Sequence, residues 1–311
     1  MNALPVRDHV AVGIDGSPSS HAALRWAARE AEMRGVPLHV IHGITNPGSW
    51  QSFSTGHRLP RRWARLGLRD DSDYMVAVAI EAARRLAPSI EVSGAATATA
   101  TGPMLVEESA RAALLVVGSR GAGGYAGMLL GSTSVYTATR AECPVVVVPP
   151  AWKPRPAGSI VVGADGSEVA NLAVRFAFEE ADLRRAPLMA VRAFSPITGP
   201  GHDTEPEAVE LHHLERMNLA KSLARWVASY PEVRFDGRAV PGHPVNALID
   251  AAAEAQLLVV GSRGFGGIGG LLLGSVSLRV LHHGGCPVAV VHPHHHDAGH
   301  LRRRRMAAAS A

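Results

Sequence analysis

The chain repeats itself, and the repeat limits what it can fold into more than any other feature does. Residues 10–38 (VAVGIDGSPSSHAALRWAAREAEMRGVPL) match residues 160–188 (IVVGADGSEVANLAVRFAFEEADLRRAPL) at a constant offset of 150, without gaps. Residues 113–148 match residues 256–291 at an offset of 143. Two copies of one unit therefore stand in tandem, and the seven-residue difference falls in the middle of each copy. The Pro-rich AWKPRPAG at 151–158 reads as the joint. This gives a first domain over 1–150, a linker over 151–158, a second domain over 159–293 and a His/Arg-rich tail over 294–311. A length of 311 residues suits two cores of ordinary size.

Each unit alternates strand and helix. VAVGID is a short apolar run ending in turn residues, as a buried strand does. Ser17 and Pro18 then supply an N-cap and a first helical residue. Ala23, Trp26, Ala27 and Ala31 fall on one face of the helix that follows. LHVIHG reads as a second strand, 71–87 as a helix and 90–100 as a strand. A third helix is expected to open at Pro103 and run to about Ala112; LLVVG, a Gly-rich loop, a fourth helix and CPVVVV complete the unit. The fold class is α/β: two tandem doubly wound domains, each a five-stranded parallel sheet with helices on both faces. Exposed apolar last strands need cover, so the units are expected to pair through CPVVVV and CPVAVV as an intramolecular pseudo-dimer. A homodimer is the further assembly left open.

The net charge of +4 is mostly a property of the tail. Residues 294–311 hold Arg302 to Arg305 against Asp297, and the remainder carries 27 basic and 26 acidic residues. No field for a polyanion covers the body, so nucleic acid is not an expected partner. No run approaches the ~20 apolar residues needed to cross a bilayer, and MNALPVRDHVAVG lacks a basic start followed by an apolar stretch. A cytoplasmic protein with no membrane partner is expected. Cys143 and Cys286 occupy equivalent positions in the repeat and read as two small buried hydrophobes. His292, His294, His295 and His296 lie at or beyond the last strand and make no convincing metal site.

A doubly wound sheet binds ligands at the carboxyl ends of its strands, where the strand order reverses. Two segments converge there in each unit. One is the end of the first strand, with Gly13 and Asp15 in one copy and Gly163 and Asp165 in the other. The other is the loop after the fourth strand. In the first copy it runs Gly118, Ser119, Arg120, Gly121, Ala122, Gly123, Gly124 and on to Gly131, Ser132 and Thr133. In the second it runs Gly261, Ser262, Arg263, Gly264, Phe265, Gly266, Gly267 and on to Gly274, Ser275, Val276 and Ser277. Glycines let a backbone approach a phosphate closely. The loop ends at a helix N-terminus, where free amides and the helix dipole favour an anion. Ser132 and Ser275 can bond phosphate or cap the helix, and Arg120 and Arg263 can offset phosphate charge.

This G-x2-G-x9-G-S pattern, with GxDGS at the first strand and CPV at the last, resembles the nucleotide-binding signature of the universal stress protein family. The likeness covers both halves, leaving out the 46–70 insertion and the tail. It implies ATP held between strands one and four in each half, through Gly13, Asp15, Gly163, Asp165 and the two Gly loops. It also implies that backbone at the end of strand two, at Gly43 and Ala193, holds adenine. Mg²⁺ bridged to the phosphates would find a carboxylate in Asp15. The function implied is a nucleotide-dependent regulator in a stress or growth-arrest response, read by an unknown protein partner, rather than an enzyme. A slow ATPase or adenylyl-transferring enzyme and a nucleotide-free scaffold are the alternatives.

Competing motifs are weaker. Gly264 to Gly269 spell a dinucleotide fingerprint, but it follows strand four and no acidic residue lies about 20 positions on. No Gly-Lys pair exists for a Walker loop. His21 and His42 lack a nucleophile to serve, and the repeat places Arg192 opposite His42. Arg58, Arg62, Arg65 and Arg69 would line one face of a helix in the insertion, either a solvated face or a partner-binding lid.

Overall fold

The computed structural model describes residues 8–43, 71–97, 99–122, 130–195, 205–264 and 273–293. The Arg face of the insertion and the tail lie outside these. The first half contains β1 (Val10–Gly13), α1 (Pro18–Arg34), β2 (Leu38–Gly43), α2 (Asp71–Leu86), β3 (Val92–Thr97), α3 (Thr101–Ser109), β4 (Leu114–Gly118), α4 (Ser132–Arg140) and β5 (Val145–Val148). The second contains β6 (Ile160–Gly163), α5 (Glu168–Arg184), β7 (Leu188–Phe194), α6 (Glu205–Ser229), β8 (Phe235–Pro241), α7 (Pro244–Ala251), β9 (Leu257–Gly261), α8 (Ser275–His283) and β10 (Val288–Val291).

Local chemistry sets the element ends. Ser17 accepts from the Ser20 amide with Pro18 in the first turn, and Ser167 accepts from the Ala170 amide. Gly16 and Gly166 take φ of 77° and 91° in the turn that separates β1 from α1 and β6 from α5. The expected third helix is displaced: α3 starts two residues before Pro103 and stops at Ser109. Proline is tolerated there because the first-turn amides have no partner within the helix.

Within each half all strand pairs are parallel, and β1 lies between β2 and β4 as β6 lies between β7 and β9. The two five-stranded parallel sheets join through their last strands, the pairing expected from the need to cover those apolar edges. β5 and β10 pair antiparallel, giving one ten-stranded sheet in the order β3-β2-β1-β4-β5-β10-β9-β6-β7-β8. At the centre of that pair Val146 faces Ala289, residues equivalent by the 143 offset. A pseudo-twofold axis therefore passes between them, and the two apolar edges cover each other.

Strand alternation divides the core into two layers. Val10 and Val12 pack with α1, α2, α5 and α6 on one face; Ala11 packs with α3, α4, α7 and α8 on the other. The first layer is continuous across both halves. At its centre, α1 meets α5 through four buried charges. Arg34 pairs with Glu30 and Glu180, and Arg184 pairs with Glu180 and Glu30. Arg34 lies over the Phe176 ring at 5.9 Å, and Arg184 lies over Trp26 at 5.6 Å. The linker is tied down as well: Gln256 donates to the Gly158 carbonyl at 2.7 Å, and Arg29 lies over Trp152. Cys143 and Cys286 are buried free thiols, and burial pushes Cys286 up to about 11, which disfavours the reactive thiolate.

Candidate functional site

The crossover from β6 to β7 on one side and to β9 on the other opens a cavity of about 400 Å³. Its wall contains Gly163, Asp165, Ala193, Gly261, Arg263, Gly264, Gly274, Ser275, Val276 and Ser277, all expected from the sequence. Ser262 lies beside this wall and is buried. Phe265, Gly266 and Gly267 lie outside the described residues, as do Gly123 and Gly124 in the first half. The apolar side of the cavity comes from residues that carried no motif: Ala164, Ala170, Val191, Pro244, Leu248, Val260 and Leu273. The Pro244 side of the wall was foreshadowed only by the proline that opens α7.

Both loops have the same base. The Gly131 amide donates to Ser119 O, and the Gly274 amide donates to Ser262 O, each at 2.7 Å. Ser134 donates to Gly118 O at 2.7 Å, and Ser277 donates to Gly261 O at 2.6 Å. The Ser277 hydroxyl therefore holds its own loop. Gly131 and Gly274 are the N-caps of α4 and α8 and offer no side chain to the first-turn amides. Ser132 and Ser275 are thus first-turn residues and not caps. An uncapped helix start beside an arginine is an anion-binding arrangement.

The acidic residues sit against the loops. Asp15 accepts from the Ser17 amide at 3.0 Å and from the Ala122 amide at 2.8 Å, one with each carboxylate oxygen. Asp165 accepts from the Ser167 amide at 2.9 Å. A Cβ on Gly121 would stand 2.7 Å from Asp15 Oδ2, and one on Gly264 would stand 2.3 Å from Asp165 Oδ2. A side chain at either place would have to push the aspartate carboxylate aside.

The ends of β2 and β7 differ. His42 Nδ1 lies 2.8 Å from the Ile14 carbonyl. That oxygen only accepts, so Nδ1 carries the proton. Arg192 donates to the Asp165 carbonyl at 2.9 Å and pairs with Glu215 of α6. Neither side chain has the partners of a catalytic base. At Gly43 the carbonyl accepts from Thr101 Oγ1 at 3.0 Å, while Ala193 opens directly on the cavity of the second half.

With this geometry in hand, comparisons with known proteins decide the family. Residues 7–149 and 157–292 each match the model of the universal stress protein family. The chain belongs to the universal stress protein family. A universal stress protein of Mycobacterium tuberculosis strain H37Rv is 38% identical over 316 residues, covering 93% of this chain and 96% of its own. A second from the same organism is 37% identical over 302 residues, covering 92% and 98%. Among solved structures, a universal stress protein from Archaeoglobus fulgidus DSM 4304 superposes with a TM-score of 0.63 at 17% identity, covering 90% of this chain and 97% of that one. Among the described residues, no helix is long and apolar enough to cross a membrane.

Proposed function

We propose that each half binds one ATP, with Mg²⁺ carried on its phosphates, and that the protein acts as a nucleotide-dependent regulator rather than a catalyst. One observation carries this reading: Arg263 lines the cavity while, among the described residues, its Nε is buried without a hydrogen-bond partner. A buried cationic donor left unpaired is costly. An anion at the uncapped start of α8 would satisfy it. The cavity's apolar wall of Val191, Leu248 and Val260 suits a flat base, and Gly264 leaves room for phosphates. In the first half, Arg120 and the start of α4 are their equivalents by the 143-residue offset. The Asp15 carboxylate is committed to two backbone amides, which supports a positioning role over that of a base. Family membership fits a role in a stress response in the cytoplasm, exerted through a protein partner that reads the ligand-bound surface.

Native mass spectrometry of protein purified without added nucleotide tests this, followed by identification of the molecules released on denaturation. About two ATP per chain is the expected result. Absence of nucleotide, together with no heat of binding on titration with Mg-ATP, would overturn it. ADP or AMP in place of ATP, with phosphate release lost in Asp15→Ala plus Asp165→Ala, would favour the slow ATPase.

A further inference from the structure

The two halves hold their Gly-rich loops by different means. In the first, Ser19 projects from the opening turn of α1 onto the loop after β4. Its hydroxyl donates to the Arg120 carbonyl, and the Arg120 amide points back at it at 3.3 Å. Ser17 Oγ reaches the same carbonyl at 3.1 Å, and the Ala122 amide is taken by Asp15. Three side chains of the β1–α1 turn thus fix residues 120–122. The 150-residue offset replaces Ser19 with Val169, which has no hydroxyl. Val169 instead places a methyl against β9, 3.0 Å from where a Cβ on Gly261 would be. On that side Ser262 Oγ and Arg263 Nε are buried without partners among the described residues, whereas Ser119 carries no such orphan and Arg120 is exposed.

We propose that the two sites are unequal, with Ser19 clamping the first loop before any ligand arrives and the second loop fixed by the ligand's own anionic group. The inference rests on the nucleotide reading and deepens it. The physical basis is the placement of entropy and desolvation. A loop already held by hydrogen bonds loses little freedom when an anion binds. A loop with unpaired buried donors gains most from an acceptor that satisfies them. Position 19/169 is a positioning residue: it touches the loop backbone and acts on the ligand only through it. Functionally, the second half becomes the one whose loop changes most between nucleotide-free and nucleotide-bound protein.

Hydrogen exchange of the full chain, read in the equivalent peptides covering 118–121 and 261–264 with and without Mg-ATP, tests the inference. Without nucleotide, the first loop should exchange more slowly than the second, by about fivefold for each clamp bond that holds an amide. Mg-ATP should slow the second loop more than the first. Val169→Ser should slow the second loop in free protein and shrink its response to nucleotide. Ser19→Val should make the first loop behave like the second, and Ser19→Ala repeats the test without adding bulk beside Gly118. Equal exchange of the loops in free protein, or no change in Ser19→Ala, would overturn the clamp. Equal slowing of both loops by bound Mg-ATP would overturn the inequality. Loops that differ in free protein but ignore Mg-ATP would sink the nucleotide reading while leaving the clamp standing.

Discussion

The contact between α1 and α5 uses matching residues from both halves. Glu30 answers Glu180, Arg34 answers Arg184, and Trp26 answers Phe176, each at an offset of 150. The carboxyl ends of the strands in the two halves share far less. Ser19 stands against Val169, His42 against Arg192, and the 16-residue α2 against the 25-residue α6. The difference follows from what each place tolerates. A buried charge must keep its partner, so a change on one side of the pseudo-twofold axis strands an ion on the other. A loop backbone can be held by a serine, by an arginine further along the sheet, or by a ligand, so these ends were free to diverge.

The largest effect should come from breaking the shared part. Arg34→Met leaves two buried carboxylates with one guanidinium and should cost about 3–5 kcal/mol in urea unfolding. Arg184→Met should cost the same within error; a clear difference would show that the halves contribute unequally to their own contact. The same four charges set a pH dependence. Burial, reinforced by the facing Glu30 and adjacent Glu179, pushes Glu180 up to about 7 against the pull of Arg184 and Arg34. Its folded value thus exceeds the unfolded value of about 4.3. The folded state therefore holds a proton that the unfolded state releases, and this contribution is lost as pH rises from about 4.3 to about 7. The loss can reach about 1.4 kcal/mol per pH unit. Glu30 runs the opposite way: burial raises it, but Arg184 and Arg34 together bring it below the usual value, so its contribution is lost in acid. The Glu180 contribution should shrink toward pH 7, read as a melting-temperature difference between the protein and Glu180→Gln that changes over that range.

At the strand ends, Gly264→Glu would drive a side chain into Asp165 and put a second carboxylate where phosphate is proposed to sit. Loss of affinity at the second site should exceed about 100-fold, equivalent to about 2.7 kcal/mol. Calorimetric stoichiometry should fall from two to one per chain. Gly121→Glu should silence the first site in the same way, and the double variant should bind nothing. Retained stoichiometry in either single variant would show that its loop is not where the anion lies.

Much of this was legible in the sequence because it repeats. The apolar run, Ser17, Pro18 and the spaced glycines of the loop mark a strand, a helix start and a close approach, and the second copy confirms the spacing. The cavity's apolar wall was not legible, since Val191, Leu248 and Leu273 resemble any other strand or helix hydrophobe until the topology brings them together. The central charge cluster was hidden differently. In the sequence, Glu30 with Arg34 and Glu180 with Arg184 have the same i,i+4 spacing as any pair on a solvated helix face. Only the antiparallel join of β5 to β10 buries both pairs against each other. The family resemblance suggested the nucleotide, and the Arg263 Nε, buried without a hydrogen-bond partner among the described residues, is a physical feature that the motif alone did not contain.

The smallest and most discriminating test compares the last residues of β4 and β9. A Cβ on Gly118 would stand 2.6 Å from the Ser19 carbonyl carbon and 2.8 Å from its oxygen, both backbone atoms in the first turn of α1. A Cβ on Gly261 would first meet Val169 Cγ1 at 3.0 Å, the end of a side chain, with backbone no nearer than the Arg263 oxygen at 3.1 Å. Backbone at a helix start moves only with the helix, whereas a valine methyl gives way with a small rotation. Gly118→Ala should therefore cost about 2 kcal/mol and Gly261→Ala about 1 kcal/mol or less, in the range of mild overpacking. The first substitution should also speed exchange at residues 120–122, because pushing Ser19 back pulls its hydroxyl off Arg120. Equal costs in urea unfolding, with the first loop unaffected, would mean that β4 and β9 meet their helices alike and that Ser19 does not hold the loop.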